Sequence, residues 1–338
     1  MQTPSPVRCR HWPYWLVIVL LSLACAVSSA LLLASSSPSS IVSAEGEGAD
    51  EFPVFSETHS WGAGATKAAR ISFSGVMTDA VGTGFFAAAN PLHGAIRRIR
   101  AAAADGDVRA ILLEMDSPGG ELTAADELYH ELAKFRESDP KRKVVVFVRG
   151  MAASGGYYAS LPADRIVAAP TSILGSIGVI LQSWNAKPLA DKLGVSDVTI
   201  KSGRHKDMLN PLREEDPEER ALLQAQIDRM LSRFVKLIAS ARGLPEAKVR
   251  ELADGRVFDA EEALAAKLVD SIGYFEDAVK EVEGLLGAGD VFFVTYETAI
   301  GWGDLLSAPF SSAAAQAVRS LSAAAVPRFV ARAPLAAP

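Results

Sequence analysis

Short apolar runs alternate with amphipathic segments through the middle of this chain, and this alternation constrains its fold more than any other feature. Residues 143–148 form a β-branched run typical of a strand buried on both faces, and residues 110–115 form a second buried run. Between these runs, Leu128, Leu132 and Phe135 repeat at helical spacing and create one apolar face. A strand, a helix and a strand in this order predict an α/β domain with mostly parallel strands and right-handed crossovers.

The same patterns extend the predicted domain over residues 67–290. Further strands are predicted at residues 70–73, 165–168, 198–200 and 292–296, and helices at 93–104, at 123–135 with Thr123 as the cap, and at 216–242. Before the domain, residues 35–66 are rich in Ser, Gly and Glu and predict a flexible linker. After it, residues 291–338 hold the late strand and an Ala/Ser-rich tail of low complexity.

A run of 20 residues without charge, residues 15–34, precedes the linker. At about 1.5 Å per helical residue it matches the roughly 30 Å hydrocarbon core of a bilayer, so we expect one transmembrane signal anchor. Arg8 and Arg10 lie before this run and acidic residues follow it. This asymmetry predicts that residues 1–14 are cytoplasmic and that the domain lies outside the cell membrane. A cleavable signal peptide and lipidation of Cys25 are the alternatives.

Composition argues against several classes of function. The formal net charge of -6 and the pI near 5.5 leave no general basic field for a phosphate backbone, so we expect no nucleic-acid partner. Cys9 and Cys25 are the only cysteines, so the predicted domain has neither a disulfide nor a cysteine metal site. An HExxH helix, a P-loop and a GxGxxG turn are absent from the sequence, so we expect no metal and no cofactor.

Ser154 follows the predicted strand at 143–148, in the segment Ala-Ala-Ser-Gly-Gly-Tyr-Tyr, where a helix would begin. A nucleophile at this place would be exposed to a substrate backbone, and the unpaired N–H groups of the helix start would face an anionic intermediate. Serine is also a preferred helix N-cap, which explains the same residue without any chemistry. This segment alone leaves both interpretations open.

A serine nucleophile needs a base, and His205 and Lys206 are the candidates. Both lie in a polar, glycine-containing segment after the predicted strand at 198–200, and catalytic groups accumulate in such loops. His93 and His130 lie among polar residues of predicted helices, which favours a solvated role. For Lys206 to act near neutral pH, burial must lower its pKa from about 10.4 by about 3 units, or about 4 kcal/mol. A solvated charged loop is the simpler explanation of the segment.

A glycine-rich turn, Asp-Ser-Pro-Gly-Gly at residues 116–120, ends the predicted strand at 110–115. Its two glycines allow backbone N–H groups to approach a ligand closely, which an oxyanion hole requires. A simple tight turn explains this sequence as well. The turn therefore indicates an oxyanion hole only if Ser154 is the nucleophile.

Four segments together resemble the signal peptide peptidase A family, in its short single-unit form, over about residues 67–290. They are the turn at 116–120, the nucleophile segment at 152–158, Gly-Ser-Ile-Gly at 175–178, and Ser-Gly-Arg-His-Lys-Asp at 202–207. Each motif is short, but four of them in this order make the resemblance specific.

The resemblance implies that Ser154 is the nucleophile, that Lys206 is the general base and that Ser176 orients the lysine amine. His205 falls at a variable position of the family loop and becomes the runner-up base. The positions matching the oxyanion and substrate-binding segments are Gly119, Gly120 and Gly155. No metal or organic cofactor takes part in the implied mechanism.

Family members are similar in fold to the Clp protease subunit and the crotonase superfamily, and they assemble into homo-oligomers whose neighbouring subunits help to build each site. Their implied substrates are signal-peptide remnants and other extended, apolar peptides. A crotonase-like acyl-CoA enzyme is the first alternative, although coenzyme A thioesters are cytosolic and the predicted domain is not. A membrane-tethered relative that binds peptides without cutting them is the second alternative.

Overall fold

The computed structural model describes Pro53, residues 55–80 and residues 90–297. The predicted anchor at 15–34, most of the predicted linker and the predicted tail lie outside these residues. Within the described residues, no helix is both long enough and apolar enough to cross a membrane. All of the described residues belong to one structural unit.

This unit contains nine strands and eight helices among its described residues. The strands are β1 (Ser56–Trp61), β2 (Thr66–Ser74), β3 (Val108–Ser117), β4 (Lys143–Ala153), β5 (Arg165–Ala168), β6 (Ile173–Gly175), β7 (Val257–Phe258), β8 (Ser271–Ile272) and β9 (Val291–Glu297). The helices are α1 (Pro91–Ala104), α2 (Leu122–Glu137), α3 (Gly155–Ser160), α4 (Lys187–Leu193), α5 (Pro217–Arg242), α6 (Glu246–Leu252), α7 (Ala260–Ala265) and α8 (Phe275–Leu286).

The strands form one mixed sheet in the order β1-β9-β2-β3-β4-β5-β8, with β6 paired to the end of β4 and β7 paired to β6. The β1–β9 and β6–β7 pairs are antiparallel, and the other strand pairs are parallel. The predicted α/β domain with mostly parallel strands is therefore confirmed. The finer expectation of a Clp protease or crotonase-like fold stays a prediction.

The central pair, β3 and β4, runs in register from Ala110 beside Lys143 to Met115 beside Val148. The register then shifts, and Ser117 lies beside Ala152. Such an irregularity redirects side chains at the end of a strand pair. It brings the glycine-rich turn that follows β3 next to the segment that follows β4.

Side chains of each central strand alternate between two apolar layers. Along β3, Ile111 and Leu113 join the layer covered by α1 and α2, whereas Leu112 joins the layer covered by α8. Both layers exclude solvent, and burial of each such aliphatic side chain contributes about 1.5–3 kcal/mol. Because both faces of the sheet are covered, polar side chains of these strands can be accessible to solvent mainly at the strand ends.

Polar side chains cap the N-termini of helices α1 and α5. The Asn90 side chain accepts a hydrogen bond from the Leu92 N–H at the start of α1, and Pro91 occupies the first turn. Asp216 caps α5 in the same way, as the predicted start of that helix requires. In α2, however, the cap position is Glu121 and not Thr123, so the predicted cap was wrong by two residues.

Three other expectations differ from the structure. Strand β1 lies inside the range predicted as linker, where it pairs with β9 and becomes the edge of the sheet. Strand β9 lies between β1 and β2, so the late strand belongs to the domain instead of following it. The predicted strand at 198–200 is absent: Val198 is 85% and Ile200 98% exposed, and neither belongs to a regular element.

Candidate active site

Ser154 occupies the sharp turn between β4 and α3. Its backbone has φ 50 and ψ -116, a conformation that costs a non-glycine residue about 1–3 kcal/mol and that recurs where a strand-to-helix turn exposes a nucleophile. Ser154 holds the N-cap position of α3, but its side chain makes no capping hydrogen bond. The capping interpretation therefore does not account for the strained backbone, nor for a hydroxyl that makes no hydrogen bond with a described residue.

The glycine-rich turn packs directly against this residue. A Cβ added to Gly119 would lie 2.9 Å from the Cβ of Ser154 and 2.6 Å from the N atom of Gly155. A Cβ added to Gly155 would lie 3.4 Å from the N atom of Gly120. Contacts this close require the absence of side chains, so the three predicted glycines are brought together around Ser154.

Two of these glycines present free amides. Among the described residues, neither the N–H of Gly120 nor that of Gly155 has a hydrogen-bond partner. The N–H of Gly119 is already bound to the Ser117 hydroxyl at 3.1 Å. The amides of Gly120 and Gly155 are therefore available to an acceptor, whereas Gly119 contributes its small size and its left-handed φ of 92.

Strand β6 brings Ser176 beside the nucleophile segment. The backbone N–H of Ser154 donates to the carbonyl oxygen of Gly175 at 2.8 Å, and Ser176 follows immediately with a left-handed φ of 48. The Ser176 N–H donates in turn to the carbonyl oxygen of Arg256 at 2.7 Å. A second serine in a strained conformation thus lies one residue from the partner of Ser154.

The short helix α3 is held by a polar cluster in which Tyr158 is buried while Asp126 and Arg233 are partly exposed. The Tyr158 hydroxyl donates to Asp126 at 2.5 Å and accepts a hydrogen bond from Arg233 of α5 at 2.9 Å. Burial, followed by the bond to Asp126, raises the pKa of Tyr158. The neighbouring Tyr157 hydroxyl donates to the Leu268 carbonyl oxygen at 2.7 Å. These bonds fix the helix on which the Gly155 amide depends.

Lys206 lies in a turn that is exposed to solvent. Its side chain makes no hydrogen bond or ion pair with any residue that the structure describes, and no contact joins it to Ser154 or Ser176. The burial that a neutral lysine needs is therefore not supplied by the described part of this chain. The structure brings Ser154, Ser176 and the three glycines together but leaves Lys206 apart.

Other charged residues of the same loop are fastened to the beginning of α5. Asp207 is paired with Lys201 at 2.6 Å and with Arg213 at 3.3 Å, and Arg213 also binds the buried carboxylate of Glu219. The bond from Lys201, with the charge of Arg213, lowers the pKa of Asp207. The loop is thus held firmly while Lys206 projects from it.

The imidazole of His205 lies next to two carboxylates and not next to Ser154. Its Nδ1 lies 3.4 Å from Glu219 and its Nε2 lies 3.7 Å from Glu218. His93 pairs with Asp79 at 2.6 Å on the surface, which agrees with its expected solvated role. Within the described residues, no group of three or more His, Cys, Asp or Glu side chains is placed to hold a metal ion.

Two residues of the site escaped the sequence analysis as functional candidates. Ser117 is fully buried and its hydroxyl holds the glycine-rich turn. Arg256 contributes a backbone carbonyl to Ser176 from a loop about 80 positions later, and no local pattern predicts a contact of that separation. The serine inside the Asp-Ser-Pro-Gly-Gly motif was the only available signal.

Comparison with known proteins places this site in a family. A putative signal peptide peptidase SppA from Enterococcus faecium is 35% identical over 245 residues, which cover 72% of this chain and 71% of that protein. The chain belongs to the signal peptide peptidase A family. The model of peptidase family S49 matches residues 136–288, which include Ser154, Ser176 and Lys206.

Other proteins and solved structures are also similar. A putative protease from Methanocaldococcus jannaschii is 40% identical over 192 residues, 57% of this chain and 61% of that relative, so the chain spans about three fifths of its length. A ClpP1 mutant from Listeria monocytogenes is similar with a TM-score of 0.40 and 16% identity, over 62% of this chain and 93% of that chain.

Membership of family S49 confirms the resemblance seen in the sequence. It supports a serine protease, and it counts against the alternative of a crotonase-like acyl-CoA enzyme. The relatives named as peptidases and proteases carry this conclusion, whereas the roles of individual residues rest on the geometry of the site.

Proposed function

We propose that this S49 protein is a membrane-anchored serine endopeptidase that hydrolyses released signal peptides and other unfolded, apolar peptides. Ser154 is the nucleophile, Lys206 is the general base, and Ser176 orients the lysine amine. The observation that carries this proposal is the strained turn at Ser154, against which the glycine-rich turn packs closely. Among the described residues, the amides of Gly120 and Gly155 have no hydrogen-bond partner.

Each residue has one step in the proposed reaction. The neutral amine of Lys206 accepts the Ser154 hydroxyl proton while Oγ forms a bond to the scissile carbonyl carbon. The carbonyl π electrons move onto oxygen, and the amides of Gly120 and Gly155 stabilise this oxyanion. When the carbonyl re-forms, the C–N bond breaks and the protonated lysine gives its proton to the leaving amine. Water then attacks the acyl-enzyme by the same route and releases the second product.

The lysine in this mechanism comes from a neighbouring copy of the chain. Lys206 is exposed and unpaired within the described residues, although Lys201, Arg204 and Asp207 around it are all in ion pairs. A second copy packed on the loop supplies the burial that lowers the pKa of a lysine. Neighbouring subunits that complete each site are also what the family resemblance implies.

An exposed apolar stretch supports the same assembly. Between residues 180 and 200, the side chains of several large apolar residues reach solvent, and an apolar surface of this extent is typical of an interface. The most exposed of them are Ile180, Trp184, Leu193, Val198 and Ile200. We infer a homo-oligomer in which this stretch packs against the neighbouring copy.

The proposed location follows from the apolar run at 15–34 and the charges around it. This run anchors the protein as a single span, with residues 1–14 in the cytoplasm and the peptidase domain outside the cell membrane. Spent signal peptides lie in that membrane, so an anchored peptidase is close to its substrates. Added protease should digest the domain in spheroplasts whose membrane is intact; complete protection would contradict this orientation.

Hydrolysis of a synthetic signal peptide by the detergent-solubilised protein tests the catalytic proposal. We expect the parent to cleave the peptide and Ser154→Ala, Lys206→Ala and Ser176→Ala to lose most activity, with unchanged oligomer size. A fluorophosphonate probe should label the parent and not Ser154→Ala. Activity that survives in Lys206→Ala and disappears in His205→Ala would move the base to His205. A parent that binds the peptide without cutting it would establish the non-catalytic alternative.

A further inference from the structure

The Ser117 side chain joins the glycine-rich turn to the segment that follows β2. Ser117 ends β3 and is fully buried, with its hydroxyl between two backbone segments. Oγ donates to the Gly75 carbonyl oxygen at 2.7 Å and accepts from the Gly119 N–H at 3.1 Å. A buried hydroxyl that uses both its donor and an acceptor position fixes the distance between the segments it joins.

Backbone bonds support the turn from the same side. The Met77 N–H donates to the Gly119 carbonyl oxygen at 2.8 Å, and the Glu121 N–H donates to the Met77 carbonyl oxygen at 2.8 Å. These two bonds hold the peptides on either side of Gly120, but neither binds the Gly119 N–H. Among the described residues, the Ser117 hydroxyl is its acceptor.

Ser117 also contacts the nucleophile helix. A Cβ added to Gly156 would lie 2.8 Å from the Ser117 carbonyl oxygen and 3.3 Å from its Cβ. Ser117 therefore lies between the turn that supplies the Gly120 amide and the helix that supplies the Gly155 amide. The relative placement of the two proposed oxyanion donors depends on a residue that touches neither the substrate nor Ser154.

We propose that Ser117 is a positioning residue that sets the Gly120 and Gly155 amides at the geometry of the oxyanion. This inference rests on the proposed peptidase function of the same site. With its N–H held by Ser117, Gly119 directs the next amide, that of Gly120, toward Ser154. The Gly120 N–H shares a planar peptide with the Gly119 carbonyl, which the Met77 N–H binds. Without the Ser117 hydroxyl, Gly119 keeps this bond but loses the support at its own N–H, so the Gly120 amide is held less rigidly.

The test separates a positioning role from a purely structural one. A peptide aldehyde and the alcohol of the same sequence bind the same subsites, but only the aldehyde forms a bond from its carbonyl carbon to Ser154 Oγ. In that step the π electrons move onto oxygen and the hydroxyl proton goes to the base. The ratio of the two inhibition constants therefore measures how well the site stabilises the oxyanion. Loosening of the whole fold would instead weaken the binding of both ligands.

We expect the aldehyde to bind the parent about 100-fold more tightly than the alcohol, as transition-state analogues do. Ser117→Ala should reduce this ratio about tenfold and kcat by about 10- to 100-fold, with KM nearly unchanged, because a displaced oxyanion donor acts mainly in the transition state. The matched control is Ser172→Ala, which removes an equally buried hydroxyl that donates only to the nearby Ala169 carbonyl oxygen. It should leave the ratio and kcat as in the parent.

A Ser117→Ala variant that melts earlier but keeps the parent's kcat and inhibitor ratio would overturn the assignment. If Ser117→Ala does not fold, Ser117→Cys keeps a weak donor of similar size and should lower the ratio by a smaller factor; an unchanged ratio there overturns the assignment too. A parent that neither cleaves the peptide nor prefers the aldehyde would refute the proposed function itself, a result distinct from failure of the Ser117 role.

Discussion

The backbone N–H of Ser154 donates to the carbonyl oxygen of Gly175 at 2.8 Å, so the nucleophile segment is bound to the residue that precedes Ser176. Gly175 holds this position with a φ of 89, and a Cβ on it would lie 2.4 Å from the Phe258 ring. The two catalytic serines of the proposed site therefore share one small strand pair, β4 with β6.

Replacement of Gly175 by alanine should damage stability and catalysis together. The left-handed backbone costs about 1–3 kcal/mol for a residue with a Cβ, and the clash with Phe258 adds to it. We expect a lower melting temperature and a reduced kcat for peptide hydrolysis. Gly194→Ala is the matched control, because Gly194 has a φ of 67 but nothing within 4 Å of the added Cβ. Equal effects of the two variants would show that the Phe258 contact is unimportant.

Mixed oligomers should reveal whether Lys206 acts on the Ser154 of another copy. Ser154→Ala and Lys206→Ala are each expected to be inactive alone. When they are co-expressed with different tags and purified together, a site with one residue from each neighbour should recover about a quarter of the parent activity in a randomly mixed, head-to-tail ring. If each site is complete within one chain, the mixture should stay inactive at every ratio.

Stability in acid should depend on Asp254, which pairs with Arg256 beside the carbonyl that holds Ser176. Hydrogen bonds from the Arg256 side chain and backbone lower the pKa of Asp254 to about 2. The ionised form is therefore favoured by folding, and its contribution is present above the unfolded pKa near 3.9 and is lost as pH falls toward 2. The difference in melting temperature between parent and Asp254→Asn should be constant from pH 7 to about pH 5 and shrink below about pH 4. A difference that stays constant down to pH 2.5 would contradict this assignment.

The buried carboxylate of Glu219 should control the order of the Lys206 loop. Glu219→Gln removes the charge that binds Arg213 and should cost about 1.5–3 kcal/mol, because the carboxylate is a buried, charged acceptor. Hydrogen exchange of the amides at 203–213 should accelerate. Glu215→Gln breaks an exposed pair with Arg220 and should change stability by less than about 1 kcal/mol. Unchanged exchange in Glu219→Gln would show that other contacts hold the loop.

Loss of the Tyr158 hydroxyl should destabilise the fold through α3. Tyr158→Phe removes one bond to Asp126 and one from Arg233 and should cost about 1–3 kcal/mol, measured by chemical denaturation. The control is Tyr129→Phe on α2, since the Tyr129 ring packs against Tyr158 but its hydroxyl makes no hydrogen bond with a described residue. Equal stability of both variants would mean that packing alone holds α3.

The parts of this fold that could be predicted are those with a strong local signal. Strands β3 and β4 each contain a long apolar run, and Asp216 caps α5 where the sequence indicates that the helix starts. Strands β6, β7 and β8 have only two or three residues, so no periodicity can develop in them. The β-branched residues at 198–200 favoured a strand, but no neighbouring strand pairs with them and they remain exposed.

In the candidate site, too, only the residues with a local sequence signal could be predicted. Ser154 and the glycines were identifiable because strand ends and small residues leave a local pattern in the sequence. The bond from Ser176 to Arg256 and the hydroxyl bridge at Ser117 depend on contacts between segments that are distant along the chain. The proposed mechanism requires a buried lysine, and the described part of the chain does not bury Lys206. Its burial depends on what packs against the loop.

Strands β1 and β9 pair in antiparallel fashion with Ser56 beside Glu297. The place where the chain enters the sheet and the place where it leaves are therefore neighbours on one edge. Because its two ends are adjacent, a domain with this geometry can be inserted into a loop of a host protein as readily as it can be fused to the terminus of that protein. It also means that any tether reaching Ser56 holds Glu297 at nearly the same distance from its point of attachment.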